Sequence, residues 1–510
     1  MNTFLKIVGA VAVINIIARL FGFLREMIIG YQYGTSYMAD SIFTAYTLPN
    51  FLYLVIGGAF TTAFISIYNQ NKTDQGLFVK QAFTTVVTTI LVITLLMLVA
   101  TEPILNLFFE EMTDEERRLA TSLFYWMMPS TIFLVLSTWF SGLLNVNGKF
   151  HLSSFSILLY NAAFLIISVV CSYWIGPIAY GIGALVSAIM MVGFLIIGYR
   201  KLEKYPIGIS FQQTWTTKQL WQLALPIMLG GATIQFYALI QRIFSATLSD
   251  GFVSAVNYAT KLTQFPQAIL MTAVTTVIYP MLSKKVGEKD DNAIKSIYTT
   301  GLRYLVMLLI PVTIFSFFYA ENLIQVIFEY GKFDEASTTI TTPILKVFLL
   351  TMFFLAANTY VTRFYYAKGN SVTPVVFSII NVFVINICVI YLFIDSIGAM
   401  AIAWGTSISS VINFIMLSIY ASRKYQLSFF NKWNNGIGKI FIAILLVGVV
   451  TYLSSEFILL SSKWLTFLAG LSIFGVSYVC FFLLLKVNEA NIIWMKLNSS
   501  IKRLINRKNK

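Results

Sequence analysis

SSFSILLYNAAFLIISVVCSYWIGPIAYGIGALVSAIMMVGFLIIGYRK, residues 153–201, decides the fold class. From Ser153 to Tyr199 it holds no charged side chain, and its two apolar runs, 153–175 and 178–200, stop at Arg200-Lys201. Each run is close to the twenty or so residues a helix needs to cross about 30 Å of hydrocarbon at about 1.5 Å per residue. A lipid-embedded backbone must satisfy its own hydrogen bonds, and runs of this length do so as helices rather than barrel strands.

The same pattern extends in both directions. Apolar runs set against polar breaks place spans near 4–31, 37–68, 79–101, 119–146, 153–175, 178–200, 220–248, 252–283, 296–319, 336–367, 372–394, 397–421, 436–457 and 462–487. The expected fold is an all-α polytopic membrane protein of about 14 transmembrane helices. Composition agrees: 58% of residues are hydrophobic, 11% are charged and mean hydropathy is +0.79, which the surface of a water-soluble domain of 510 residues cannot sustain. The first apolar segment is too long for a signal-peptide core and is expected to stay as span 1.

The net charge of +14 does not point to nucleic acid, because the basic residues sit in short loops and in the tail Lys502, Arg503, Arg507, Lys508, Lys510. One alternate set of loops holds Lys72, Lys80, Lys149, Arg200, Lys201, Lys204, Lys284, Lys285, Lys368, Arg423, Lys424 and Lys432. The opposite set is acidic, with Glu110, Glu111, Asp114, Glu115 and Glu116 after span 3 and Glu321, Glu329, Asp334 and Glu335 after span 9. The positive-inside rule then puts the basic loops and both termini in the cytoplasm, against anionic lipid.

The chain also repeats itself. Ala59-Phe60-Thr61-Thr62-Ala63-Phe64-Ile65 resembles Ala273-Val274-Thr275-Thr276-Val277-Ile278-Tyr279, the Gly148 turn leading to Asn161 parallels Gly369 leading to Asn381, and Arg200-Lys201 parallels Arg423-Lys424. Three ordered matches indicate two six-helix lobes in parallel repeat, 1–204 and 205–425. Residues 426–510 add spans 13 and 14 and a basic tail.

Charges inside these spans carry the functional signal. Arg19, Arg25 and Glu26 interrupt span 1, each at a cost of about 2.5–3.5 kcal/mol on the insertion scale, and so are expected to face a wet cavity. At about 100° per residue Arg19 and Glu26 share a face, and Gly22 between them permits a bend. The competing reading is an ion pair that only pins span 1. Two arginines against one glutamate leave a surplus, and a guanidinium fork suits phosphate oxygens. Arg242, Lys261 and Lys346 lie within spans 7, 8 and 10, where no carboxylate is apparent; Arg242 aligns with Arg25 by the repeat, and Lys346 can also snorkel. Asp40 opens span 2, either as an N-terminal carboxylate or in a gate. Cys171, Cys388 and Cys480 lack metal or disulfide spacing, His151 falls in a loop, and no nucleotide-binding loop, metal cluster or nucleophile triad is present. Hence no cofactor, metal or enzymatic chemistry is expected.

The order of motifs resembles one family. Ala18-Arg19-Leu20-Phe21-Gly22-Phe23-Leu24-Arg25-Glu26, Ala39-Asp40, Leu48-Pro49-Asn50 and Gly58-Ala59-Phe60 are followed by Tyr258-Ala259, Phe265-Pro266, Pro280-Met281-Leu282-Ser283-Lys284, Tyr330-Gly331-Lys332-Phe333, and Phe364-Tyr365 leading to Thr373-Pro374. Together they resemble the MurJ/MviN family of lipid II flippases, in the superfamily that includes multidrug antiporters and polysaccharide exporters. The resemblance implies a cationic cavity that takes the diphosphate and sugar of an undecaprenyl-linked precursor, worked by alternating access in the bacterial cytoplasmic membrane. Arg19, Arg25 and Asp40 match family positions; with the reading of the charges, the expected substrate contacts are Arg19, Arg25, Glu26, Lys261 and Arg242, with Asp40, Asn50 and Gly22 gating or supporting. Glu26 stands where an aspartate is usual and Lys261 where arginine is common. Gln264 replaces a carboxylate of some members, and Phe51-Leu52-Tyr53-Leu54 lacks the arginines many carry. Wall-synthesis proteins are further expected partners. Three other readings compete: export of another lipid-linked saccharide, a cation-coupled drug antiporter needing an intramembrane carboxylate, and a non-transporting scaffold.

Overall fold

A computed structural model describes residues 3–70, 74–108, 113–202, 207–212, 214–273, 278–429, 436–458, 460–491 and 494–495. Its contacts divide into two compact units.

The first unit comprises Met1–Lys261, Tyr330–Ile340 and Val382–Ile402. Its helices in chain order are α1 (Thr3–Tyr33), α2 (Tyr37–Leu52), α3 (Gly58–Gln70), α4 (Gln75–Val99), α5 (Thr101–Phe108), α6 (Asp114–Met127), α7 (Ser130–Val146), α8 (Phe150–Ile175), α9 (Ile178–Arg200), α10 (Trp215–Ser245) and the start of α11 (Phe252–Ala273). The helix α9 shows why the apolar runs pack as they do. Along one side it buries Tyr180 and Met191 together with Gly183, Ala184, Ser187 and Ala188, small residues three and four apart that let membrane helices approach closely. Gly183 comes so near Ser168 of α8 that any β-carbon there would clash. Trp139 of α7 is fully buried among Phe64, Phe83 and Phe140 at ring distances of 5.0–5.7 Å.

The second unit comprises Leu262–Glu329, Thr341–Asn381 and Ala403–Lys510. Beyond the rest of α11 it adds α12 (Tyr279–Gly287), α13 (Asp291–Phe318), α14 (Ala320–Ile327), most of α15 (Glu335–Leu349), α16 (Thr351–Ala367) and α17 (Val372–Ile379). The chain then passes through α18 (Ile387–Ile397) of the first unit and returns with α19 (Ala399–Tyr425), α20 (Ile437–Phe457) and α21 (Lys463–Leu484). Val306 and Met307 of α13, Ile440, Ala443, Ile444 and Val447 of α20, and Phe482 of α21 form its apolar core. After α21 the chain reverses at Lys486, whose φ is 51°, and returns Val487 to that core.

All regular elements of the described residues are helical. Among the described residues, eleven helices are long and apolar enough to cross a membrane, or twelve if the bent α10 counts as one span. The helices α1 and α11 stand outside that set and carry Arg19, Arg25, Glu26 and Lys261. Several expected single spans are subdivided. Pro49 sits inside α2, which runs into a π-helical turn at Tyr53–Gly57 before α3. Pro129 separates α6 from α7, and a second π turn, Ile380–Asn386, joins α17 to α18. In span 8, α11 and α12 are described on either side of residues 274–277, which lie outside the described residues; so do most of the repeat motif there, Lys72, Lys204, Lys432, Glu110, Glu111 and the basic tail. His151 falls in the first turn of α8 rather than in a loop, and Lys80, Lys284 and Lys285 likewise lie within α4 and α12. At Gly22 the helix α1 continues without a break and meets Asn161 of α8.

Candidate functional site

The charged residues of α1 meet those of α10 and α11 inside the first unit. Arg25 Nη2 donates to Glu26 Oε1 at 2.9 Å, although consecutive helical residues diverge, because both side chains are long enough to bend toward each other. The other Glu26 oxygen accepts from Asn257 Nδ2 of α11 at 2.8 Å. Asn257 Oδ1 in turn accepts from Arg242 Nη2 of α10, while Arg242 Nη1 donates to the Val253 carbonyl at 2.8 Å. Lys261, one turn beyond Asn257 and on the same helix face, lies within electrostatic reach of Glu26, Arg25 and Arg242. Its ammonium makes no hydrogen bond or ion pair among the described residues.

Aromatic rings hold the guanidinium groups in place. Arg25 stands over Phe164 at 4.6 Å and Tyr46 at 5.3 Å, and Arg242 over Phe43 at 5.2 Å. Such faces attract cations without neutralising them. Arg25 and Glu26 are 9% and 3% exposed, so this is a buried network rather than a surface one. Three cations surround one carboxylate. Asp40, also within electrostatic reach of Arg242, has both oxygens committed elsewhere.

Asp40 does not cap its own helix. Its Oδ2 accepts from Gly251 N at 2.6 Å and its Oδ1 from Ser254 N at 2.7 Å, so it closes the open amides at the start of α11. Around it the ends of α1, α11 and the Tyr330–Phe333 loop lock together. Lys332 N donates to the Tyr31 carbonyl at 2.8 Å, Tyr258 Oη to the Gly34 carbonyl at 2.9 Å, and the hydroxyls of Thr35 and Ser337 share a hydrogen at 2.8 Å. Gly34 and Gly331, at φ of +61° and +65°, let two main chains touch where no β-carbon fits. Asp334 braces Ser337 through the Ser337 N–H and hydroxyl, each 2.9 Å away, and the N–H bond first of all holds the Asp334 carboxyl below its ordinary value.

Of the residues singled out in the sequence, Arg25, Glu26, Arg242 and Lys261 come together. Arg19 does not join them: it is exposed, seven residues and about 10 Å further along α1. Asn50 precedes the π turn and lies outside the network, and Lys346 belongs to the second unit, with its ammonium 5.8 Å over the Phe317 ring. The carboxylate facing the cations of α10 and α11 is thus supplied by α1. Asn257 escapes a charge-based reading; its spacing of four from Lys261 is the signal that would have found it. A second buried pair, Arg303 of α13 with Glu489 beyond α21, was likewise not foreseen: Nε–Oε1 is 2.6 Å and Nη2–Oε2 is 3.0 Å.

Long apolar helices, with Arg25, Arg242 and Lys261 gathered about Glu26 in the first unit, define a polytopic membrane protein, and known structures share its fold. A lipid II flippase MurJ in an inward-closed conformation matches with a TM-score of 0.80 at 23% identity, over 96% of this chain and 99% of that one. A multidrug resistance MATE transporter in an inward-facing conformation matches at 0.63 and 14% identity, over 79% and 98%. The chain belongs to the lipid II flippase MurJ family, whose sequence signature covers residues 29–474. Relatives include a probable lipid II flippase MurJ of Buchnera aphidicola, 27% identical over 88% of both chains, and one of Rickettsia prowazekii, 26% identical over 92% of this chain and 96% of its own.

Proposed function

We propose that this chain flips lipid II, an undecaprenyl-diphosphate-linked peptidoglycan precursor, from the inner to the outer leaflet of the bacterial cytoplasmic membrane. Family membership supports the substrate. The observation that carries the chemistry is the imbalance around Glu26, where Arg25, Arg242 and Lys261 converge on one carboxylate. Arg25 commits a single nitrogen to Glu26 and keeps the rest of its fork, and Lys261 keeps its whole ammonium. Those donors suit a diphosphate.

In this reading the lobes 1–204 and 205–425 alternate access, with both termini cytoplasmic and residues 426–510 as an appended pair of spans and tail. Arg25 and Lys261 take the phosphates, Arg242 supports them, and Arg19, further along α1, meets the headgroup on its way in. The contacts of Asp40, Gly34 and Lys332 form the release-side gate, which has to part before the headgroup leaves. Basic loops rest on anionic lipid, and wall-synthesis proteins receive the product. A cation-coupled antiporter would need a free carboxylate, whereas both Glu26 oxygens are engaged.

The test is reconstitution. Vesicles holding the purified protein and lipid II should move it between leaflets, and Arg25→Ala should stop this while the protein still inserts and melts as the parent does. Movement no faster than in protein-free vesicles, under either sign of membrane potential, would refute the assignment.

A further inference from the structure

Glu26 occupies the place where a substrate anion would sit. Its two oxygens take a guanidinium N–H and an amide N–H, it is 3% exposed, and a second guanidinium and an ammonium stand within electrostatic reach. Anionic oxygen surrounded by fork, amide and ammonium donors is also how a phosphate group is held. Arg25 Nη2 and Asn257 Nδ2, the donors bonded to Glu26, cannot at the same time face phosphate oxygens, and a second anion beside Glu26 would be repelled by it, so the two anions compete for one site.

We infer that Glu26 is a built-in counter-anion that fills the cationic site of the empty carrier and is displaced when the substrate's diphosphate binds. This rests on the diphosphate reading above and adds a role distinct from binding. Without Glu26, Arg25 and Lys261 would lack a carboxylate in a low-dielectric interior, where Arg242 alone has Asp40 within reach, and an empty carrier has to pass through a closed state to bind again. With Glu26 in place the charges are partly answered, so the empty carrier can close. When the diphosphate arrives it takes over Arg25 and Lys261, and the displaced carboxylate then lies beside the phosphates and weakens their hold in time for release. Asn257 serves as the positioning residue: being neutral, it keeps Glu26 and Arg242 in register without competing for either charge.

Competition of this kind separates affinity from turnover. Binding of an undecaprenyl-diphosphate-linked disaccharide to the full chain in vesicles is compared with the rate of its first passage and with its steady-state rate. Glu26→Gln should bind about tenfold tighter, make its first passage at the parental rate and turn over about tenfold more slowly, because the emptied site now returns with its cations unanswered. Glu26→Asp, which keeps the charge on a shorter arm, should recover most of the steady-state rate that Glu26→Gln loses, as a role for the charge rather than the shape requires. Asn257→Ala keeps every charge and frees one Glu26 oxygen; it should bind about threefold tighter, and it decides the matter if Glu26→Gln does not accumulate. Unchanged or weaker binding in Glu26→Gln, or in Asn257→Ala when only that variant accumulates, overturns the inference, as does tighter binding with an undiminished steady-state rate. Arg25→Ala keeps the two ideas apart: loss of binding there alongside unaltered binding in Glu26→Gln removes the counter-anion role alone, whereas parental binding in Arg25→Ala removes the diphosphate site itself.

Discussion

Arg25 in the first unit and Arg303 in the second are both arginines sunk among apolar helices, yet they keep different company. Arg303 meets Glu489 through two nitrogens and two oxygens, one charge against one. Arg25 meets Glu26 through one nitrogen, with Arg242 and Lys261 close by. A charge-matched pair offers little to a ligand; what it does is fix the segment after α21 against α13, where Val487 also joins the core. A mismatched cluster held open by aromatic faces leaves donors uncommitted. Burial alone therefore does not mark a functional charge in a membrane. What sets the proposed site apart is its ratio of donors to acceptors.

The sharpest way to break this contrast is to remove one partner from the matched pair. Glu489→Ala leaves Arg303 buried without its counter-charge and should cost about 3–5 kcal/mol of stability, read as a much lower melting temperature in detergent, with substrate binding per folded molecule unchanged. If Glu489→Ala melts like the parent, the pair is not the anchor described here. In the mismatched cluster the order of effects reverses. Arg25→Lys keeps the charge and loses the fork, so it should weaken binding of a lipid-linked diphosphate ten- to a hundredfold, about 1.5–3 kcal/mol, with little change in melting. Parental affinity in that variant would show that charge alone suffices.

Smaller effects belong to the contacts around Gly34. Asp40→Ala removes the acceptor for two amides at the start of α11 and should speed hydrogen exchange at Gly251 and Ser254 about fivefold, matching the roughly 1 kcal/mol of a lost cap. Asp334 should impart a modest pH dependence. Its carboxyl titrates below the ordinary range when folded, so its contribution is complete above the unfolded value near 3.9 and is lost as pH falls through the folded one. Asp334→Asn should therefore melt slightly lower than the parent near pH 7, and the gap should close in strong acid; a gap that persists there would assign the effect to shape. Least of all should Lys261→Arg matter, since it preserves the charge, and binding within about threefold of the parent is expected.

Charge against hydropathy made Arg25, Glu26, Arg242 and Lys261 legible in the sequence, because each is conspicuous in a run that lipid would otherwise reject. Asn257 was not legible by that measure: an amide interrupts an apolar run far less than an ion does, and its value appears only when α1 and α10 come to either side of its two ends. The Arg303–Glu489 pair joins residues 186 positions apart, and nothing local to either predicts the other. Asp40 could be placed at a helix start, but the start it serves is more than two hundred residues away, beyond Gly251. The long helices were legible from their apolar runs. Their interruptions at Tyr53–Gly57 and Ile380–Asn386 were not, since a π turn inserts a residue without changing the composition around it.

The unbroken course of α1 makes it a lever. Arg25 and Tyr33 are eight residues apart on one continuous helix, about 12 Å of rigid rod. A tilt of roughly 20° pivoting at Arg25 swings the far end by about 4 Å, more than the reach of any hydrogen bond made there. Such a tilt where the charges meet would be magnified mechanically into the parting of Tyr31 from Lys332 and of Gly34 from Tyr258.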